Sequence, residues 1–431
     1  GTLDRRELSH NTRLRHAVAK DVAIAWALSR EANPLAKRWL AQQYAARLSQ
    51  PADSQLAIAL ADNDEAQMTR LLDEARSRLP LYERIDAATA TDRPGEAQRL
   101  AFTGLEGAPA DDELHTRLVD TMLAWPQSID ASVTNHVEHP LDYVEQTLAA
   151  SRKLSERYMI GVEGVQRFMR STDQTQLVNV PSTDRSIAFN LRRQTLDSMF
   201  AVTGGRREAL NSFYTFQLAA QTGRNGPLEV GLRLGRNQTV DENQLLFVGG
   251  MKDNAVGDFT WRVTQRISLT GTVEASRYYS QSRNYLGSGL LTSGELSYRI
   301  RTTYPDYTVR LVGAHGDYHA SGTPDDLVTR LVPLANRPVT ASDLMPQTYT
   351  QYGLFFGFGD DLRTRYTRAW RPFLDVGIMH DSNQGWGPGA SVGLAGSVFG
   401  GDHAALFFEH QRVSRQGTPV TQIGARYSWF Y

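Results

Sequence analysis

Three constellations in this chain have residue types and spacings that could do chemistry. Gly389-Ala390-Ser391-Val392-Gly393 has the Gly-x-Ser-x-Gly spacing that presents a nucleophilic serine in hydrolases. That chemistry needs a strand, a sharp turn and a helix in succession, and here Leu394 to Gly401 continue as strand and turn, so no catalysis is expected from Ser391. His136-Val137-Glu138-His139 offers two imidazoles without the second set of ligands that a tetrahedral zinc site needs, and reads more simply as a surface histidine pair. His315, Asp317 and His319 cluster at the end of a strand, where they could bind a metal or serve a hydrated pore mouth or loop. No phosphate-binding glycine loop follows a strand and opens a helix. The chain has no cysteine, which excludes thiol catalysis, disulfides and cysteine-ligated zinc. No catalytic set, cofactor, metal or nucleic-acid partner is expected.

The remaining chemistry is weak, repeated binding along a wall. Period-2 alternation places Glu163, Glu229, Glu274, Glu295, Asp375 and Glu409 on the face opposite bulky apolar residues. Carboxylates lining a pore bind and release ammonium groups at successive sites. The same face also receives Arg167, Arg233, Arg262, Arg310 and Arg426, which would neutralise many of those acids. Two readings follow: a path for a cationic polymer, or ion-pair ladders that stiffen the wall of a small barrel.

Strands must position these residues. The chain ends Pro419-Val-Thr-Gln-Ile-Gly-Ala-Arg-Tyr-Ser-Trp-Phe-Tyr431, with Ile423, Ala425, Tyr427, Trp429 and Tyr431 on one face and Gln422, Gly424, Arg426 and Ser428 on the other. That pattern suits the closing strand of an outer-membrane barrel, with Tyr427, Trp429 and Tyr431 in an interfacial aromatic girdle that Trp370 joins. Similar runs of about ten residues recur from Tyr158 onward, among them Leu228–Leu234, Tyr307–Leu311, Tyr352–Phe358 and Leu374–Ile378. A soluble sandwich could show the same alternation; the terminal aromatics and the glycine-rich opposite face favour a barrel. About 14 strands can be delimited, with Ser186 to Gly204 serving as one long strand or two, and even parity leaves 14 or 16, the latter preferred. With both ends of the barrel chain in the periplasm, the connections at 204–208, 302–305, 361–369 and 399–401 fall on that side. Those at 223–226, 280–290, 318–349, 381–387 and 414–418 then face outward. The 318–349 insertion, with Pro324, Asp325 and Asp326 opening a helical turn and Asp343 further on, is long enough to fold into the lumen as a plug or gate rather than lie as a surface flap.

The first part reads differently. Four of the 35 glycines and seven of the 40 aromatics lie before residue 150, and the segment is rich in Ala, Leu, Arg, Asp and Glu. Asn33-Pro34 opens a helix with an apolar stripe at Leu35, Trp39, Leu40, Tyr44 and Leu48, which Pro51 ends. Asp64-Glu65-Ala66-Gln67 and Pro94-Gly95-Glu96-Ala97-Gln98 each start another helix, and their Glu-Ala-Gln triplets lie 31 residues apart, near the period of tetratricopeptide-like (TPR) repeats. A helical solenoid and an irregular helical domain both remain open. Residues 1–150 carry 16 Lys and Arg against 23 Asp and Glu, a net of −7, while 151–431 carry 30 against 24, a net of +6. The acidic helices are either an ordinary solvated surface or a face for a basic partner or cationic polymer.

The expectation is thus an α+β multidomain chain: TPR-like helices over 1–150, then a transmembrane antiparallel β-barrel over 151–431. No apolar run reaches the roughly 20 residues of a spanning helix, so insertion must be by barrel. The chain opens Gly1-Thr-Leu-Asp without an initiator Met, as a C-terminal piece of a longer exported polypeptide would.

Helical repeats fused to a terminal barrel, with the Leu35 to Trp125 repeats, the strands from Tyr158, the 318–349 insertion and the ending Ala425-Arg-Tyr-Ser-Trp-Phe-Tyr431, resemble the PelB family of outer-membrane exopolysaccharide-export porins. The resemblance implies a barrel in the outer membrane, repeats in the periplasm, and passage of a partly deacetylated, cationic, galactosamine-rich polymer. It also implies two partners, a periplasmic lipoprotein ring (PelC-like) and a polysaccharide deacetylase/hydrolase (PelA-like) docked on the repeats. Two other classes fit the same plan: a barrel serving only as membrane anchor for a scaffold, and an outer-membrane adhesin or enzyme with a reactive group at the rim.

Overall fold

The computed structural model describes residues 22–28, 30, 32–45, 51–124, 126–224, 226–333 and 338–431. Two compact units divide between Trp125 and Pro126. The boundary expected at 150 therefore lies earlier, because Ser128–Glu138 and Leu141–Lys153 are strands. Moving it reassigns Asp130, Glu138, Asp142 and Glu145 to the barrel, so the helical part has 16 basic against 19 acidic residues, a net of −3. The barrel then has 30 against 28, a net of +2, and most of the charge contrast between the parts disappears.

The helical unit comprises α1 (residues 22–28), α2 (Asn33–Ala45), α3 (Ala52–Asp62), α4 (Glu65–Glu74), α5 (Leu81–Ala90), α6 (Pro94–Gly107) and α7 (Asp112–Ala124). Helices begin where expected: the Asp64 carboxylate accepts from the Gln67 N–H at 3.0 Å, a cap worth about 1 kcal/mol. Pro94 opens α6 with the fixed φ that a first helical turn wants. Each helix buries one stripe against its neighbours, with Leu56, Met68, Leu72, Ile85, Ala97 and Leu114 in a shared core. Leu48 and Trp125 lie outside the described residues.

The second unit is a closed barrel of sixteen antiparallel strands. They are β1 (Ser128–Glu138), β2 (Leu141–Lys153), β3 (Tyr158–Ser171), β4 (Thr183–Gln194), β5 (Met199–Glu208), β6 (Ser212–Thr222), β7 (Leu228–Gln238) and β8 (Gly250–Arg262). The circuit continues through β9 (Ile267–Ser280), β10 (Tyr285–Arg299), β11 (Tyr307–Ala320), β12 (Tyr349–Phe358), β13 (Arg371–Asp381), β14 (Gly385–Gly396), β15 (Asp402–Gln411) and β16 (Val420–Phe430). β1 closes it on β16, Ile129 opposite Trp429 and Val137 opposite Thr421, so every strand edge is paired. The Tyr431 N–H donates to the Gln127 carbonyl at 3.1 Å, which puts the start and end of the barrel at one rim, the near rim.

Strand parity fixes the rest. The connections at 300–306, 359–370 and 397–401 lie at the near rim, and those at 281–284, 321–348, 382–384 and 412–419 at the far rim, as the sequence implied. Two differ. Residues 204–208 belong to β5, because Ser186 to Gly204 is split into two strands by a turn at 195–198. The 223–226 connection accordingly lies at the near rim rather than outward.

Candidate functional site

Alternation gives the barrel two chemically opposite walls. Outward positions carry exposed Leu148, Phe189, Leu232, Leu311, Leu354, Leu406 and Ile423, an apolar surface suited to lipid. At the near rim Trp370, Trp429 and Tyr431 are exposed and Trp429 lies 5.6 Å from Tyr431, while Tyr427 is half-buried on the same outward face.

Inside, charges are tied together across strands. Arg167 on β3 donates to Glu145 at 2.7 Å and Asp184 at 3.3 Å, and Arg207 on β5 donates to Asp184 at 2.7 Å, giving a ladder from β2 to β5. Arg207 and Asp184 are fully buried, so neither could be left alone without the cost of a buried unpaired charge. Lys252 on β8 reaches Asp241 at 2.9 Å, Glu242 at 2.7 Å and Glu274 at 2.9 Å. Arg310 on β11 joins Glu295 at 3.5 Å to Asp375. Aromatic rings lie against the wall where glycine leaves room: a Cβ at Gly377 would strike Phe355, and one at Gly424 would strike Phe407.

All six carboxylates expected to face the lumen are on the inner wall, but only three come together. Glu295, Asp375 and Glu409 border one cavity of about 660 Å³ with Arg310, Gln351, Phe355, Gln411 and Gln422. Glu409 pairs with Arg363 at 3.0 Å, from the near-rim connection. Glu229 pairs with Arg262 at 2.7 Å, and Glu274 is held by Lys252, Asn254 and Ser276. Glu163 sits between Ala149 and Ala188 in the pairing register and stands exposed to the lumen.

The far end of the lumen is occupied. Two far-rim connections carry helices: α8 (Gln244–Gly249) lies in the 239–249 connection, and the 321–348 insertion adds α9 (Asp326–Thr329) and α10 (Ala341–Leu344). Leu331 packs with Tyr143 and Met169 of the inner wall and with Phe247 and Val248 of α8. Val328, Leu344 and Met345 pack with Tyr278 and Leu286 and with Val240 and Leu246. The four insertion residues singled out from sequence are placed differently. Pro324 precedes α9, Asp325 caps it and accepts from the Ser280 hydroxyl at 2.6 Å, Asp326 opens it, and Asp343 accepts from the Thr340 N–H at 2.9 Å in α10. Two of them are helix caps; burial of the neighbouring apolar side chains seats the segment.

The 239–249 connection escaped sequence reasoning. Arg207 donates to the Phe247 carbonyl at 2.8 Å, Gln244 to the Glu138 carbonyl at 2.9 Å, and Asn243 caps α8. Burial pushes the Glu242 carboxyl above the usual carboxylate range, with Asp241 and Glu274 adding to the shift and Lys252 opposing it. A signal existed: Leu245-Leu246-Phe247-Val248 is an unbroken apolar run with no alternation, preceded by an acidic pair.

The other candidates dissolve. Ser391 lies within β14 opposite Asp375 and Glu409, with no elbow. His136 is not on the surface but on the inner wall, stacked 4.2 Å from Tyr143, while His139 lies in the following turn against Asp173. His315 meets Thr350 at 2.9 Å and His319 lies 3.9 Å from Asp317, and no group of three potential ligands assembles among the described residues.

A closed, even-stranded antiparallel barrel with an apolar outer wall, an aromatic rim and a polar lumen defines an outer-membrane β-barrel. The chain belongs to the family described as PelB, C-terminal beta barrel domain, whose model matches residues 123–430. It is therefore an outer-membrane polysaccharide-export barrel, and that family is one of barrels rather than enzymes. Similar solved structures include a bacterial polysaccharide outer membrane secretin, with 12% identity and a TM-score of 0.49 over 70% of this chain and 98% of that one. CdiB from Acinetobacter baumannii gives 10%, 0.40, 70% and 60%, and OccAB4 from the same organism 9%, 0.35, 70% and 96%. No curated protein sequence matches the chain.

Proposed function

We propose that the barrel is a gated export porin for a cationic, Pel-type polysaccharide, closed at its far end by the 239–249 and 321–348 connections. The observation that carries this reading is the cavity bordered by Glu295, Asp375 and Glu409 beneath those two folded segments. An ammonium group arriving there exchanges with a guanidinium already in place, as at Arg310, so binding is weak and release is easy. The arginines that seemed to oppose a cationic cargo thereby keep each site from becoming a trap. Family membership supports a periplasmic setting for the helical unit, where it would dock a PelC-like lipoprotein ring and a PelA-like deacetylase/hydrolase.

Single-channel conductance in a planar bilayer tests this. The intact chain should be closed, deletion of Gly322 to Met345 should open it in part, and replacing 240–248 by a Gly-Ser linker as well should give a cation-selective pore. Anion selectivity would retain the porin and reject the cationic cargo. No conductance in any correctly folded form would leave the barrel as an anchor.

A further inference from the structure

On one side of the barrel the outward alternation does not stop at the end of the apolar stripe. Along β4 it runs Leu191, Phe189, Ile187 and then Arg185; along β7, Leu228, Val230, Leu232, Leu234 and then Arg236. Toward their far-rim ends β3 carries Phe168 and Arg170, β5 carries Gly204, Arg206 and then Glu208, and β9 carries Val273, Ala275, Arg277 and then Tyr279. All five guanidinium groups are exposed, and all stand at the far-rim ends of their strands. Asp142, Glu208 and Asp253 share that outward face: Arg170 reaches Asp142 at 3.3 Å and Arg206 reaches Glu208 at 2.9 Å. Arg185 lies opposite Glu208 and Arg277 opposite Asp253 in the pairing register. Among the described residues Arg185, Arg236 and Arg277 form no ion pair, so five arginines meet three carboxylates. The outward stripes of the other side carry no permanent cation at their far-rim ends: Asp317 and His319 on β11, Thr350 on β12, His380 on β13, His410 on β15 and Thr421 on β16.

Guanidinium groups set on a lipid-facing wall are costly unless anions meet them at the interface. Threonine or histidine ends the stripes elsewhere, so strand termination by itself does not require arginine. We propose that the arc from β3 to β9 is a binding surface for phosphorylated, anionic lipid headgroups of the far leaflet. Planar guanidinium forks suit phosphate bidentately, and seven strands at about 4.8 Å spacing give an arc of roughly 29 Å, wide enough for more than one headgroup. The lipid contact is one-sided, and it orients the barrel in its leaflet independently of what passes through the lumen.

The test uses the full chain in dodecyl maltoside with bis-phosphorylated lipid A as probe, bound lipid being counted by native mass spectrometry at fixed ionic strength. The Arg185→Gln/Arg236→Gln/Arg277→Gln variant should bind about a hundredfold more weakly, at roughly fivefold per arginine. His315→Gln/His410→Gln should bind as the parent does, and both variants should keep the compact migration of an unheated barrel. Unchanged binding by the arginine variant would overturn the proposal, as would equal loss in the histidine variant. Displacement by inorganic phosphate would assign the arc to free phosphate, and equal uptake of phosphatidylcholine would remove the role of headgroup charge; either result also overturns it.

Discussion

The inner and outer walls of this barrel are built from alternate residues of the same strands, yet they treat charge in opposite ways. On the inner wall Arg167, Arg207, Lys252 and Arg310 each contact two or more acceptors, and Arg207 is buried against Asp184 and the Phe247 carbonyl. On the outer wall arginine is held back to the strand ends, where among the described residues Arg185, Arg236 and Arg277 form no ion pair even though Glu208 lies opposite Arg185 and Asp253 opposite Arg277. The difference teaches that burial, not charge count, dictates pairing. A fully buried cation such as Arg207 is held by an acid of the same wall, whereas one at the interface can rely on lipid and water.

The sharpest way to break that contrast is to strand a charge inside. Arg207→Met leaves Asp184 buried with Arg167 alone and frees the Phe247 carbonyl, and should lower stability by about 3–5 kcal/mol, read from the urea midpoint of the unheated barrel band. Adding Asp184→Asn should recover part of the loss. An outer-wall arginine changed in the same way should move the midpoint far less.

A smaller effect is expected at Glu242, which links the wall to the 239–249 connection. Its carboxyl is held above its ordinary range when the segment is seated and returns to that range when the segment leaves. The contribution of Glu242 to seating is therefore fully present below the ordinary carboxylate pKa and is lost as pH rises through the raised value. Hydrogen exchange of residues 239–249, corrected for intrinsic rates, should show less protection at pH 8 than at pH 5. Glu242→Gln should flatten that dependence, and a parent profile that is already flat would remove Glu242 as its source.

The smallest effect belongs to the helical unit. Arg117 bonds Asp86 at 2.9 Å with both side chains partly exposed, so Arg117→Ala should cost less than about 1 kcal/mol in a thermal melt of the full chain. Barrel conductance should be unaffected.

Much of this architecture is legible in the residues, and the failures have physical causes. β1 and β2 were hidden because Tyr143-Val-Glu-Gln-Thr-Leu-Ala-Ala150 has a helix-like composition, although Ile129, Val133 and Val137 already alternate. Gly204-Gly205 suggests a turn, yet both glycines are paired within β5, where Gly205 packs closely against the Ile187 carbonyl and Thr215. That misplacement moved the 223–226 connection to the wrong rim. Composition gave no warning that Asp325 and Asp343 would serve helix starts, since a helix cap and a lumen-facing acid are the same residue type until backbone N–H groups stand beside them.

What the sequence by itself determined was which residues share a wall, because side-chain direction in a strand is set by a period of two and needs no partner. It determined the even-stranded barrel, the aromatic near rim and the six inner carboxylates on the same ground. Only the tertiary structure decided that there are sixteen strands, that Glu295, Asp375 and Glu409 meet while Glu163 stands apart, and that Leu331 and Phe247 from distant connections close over the lumen together. Those facts depend on register and loop packing, in which residues far apart in the chain become neighbours only after the barrel has closed.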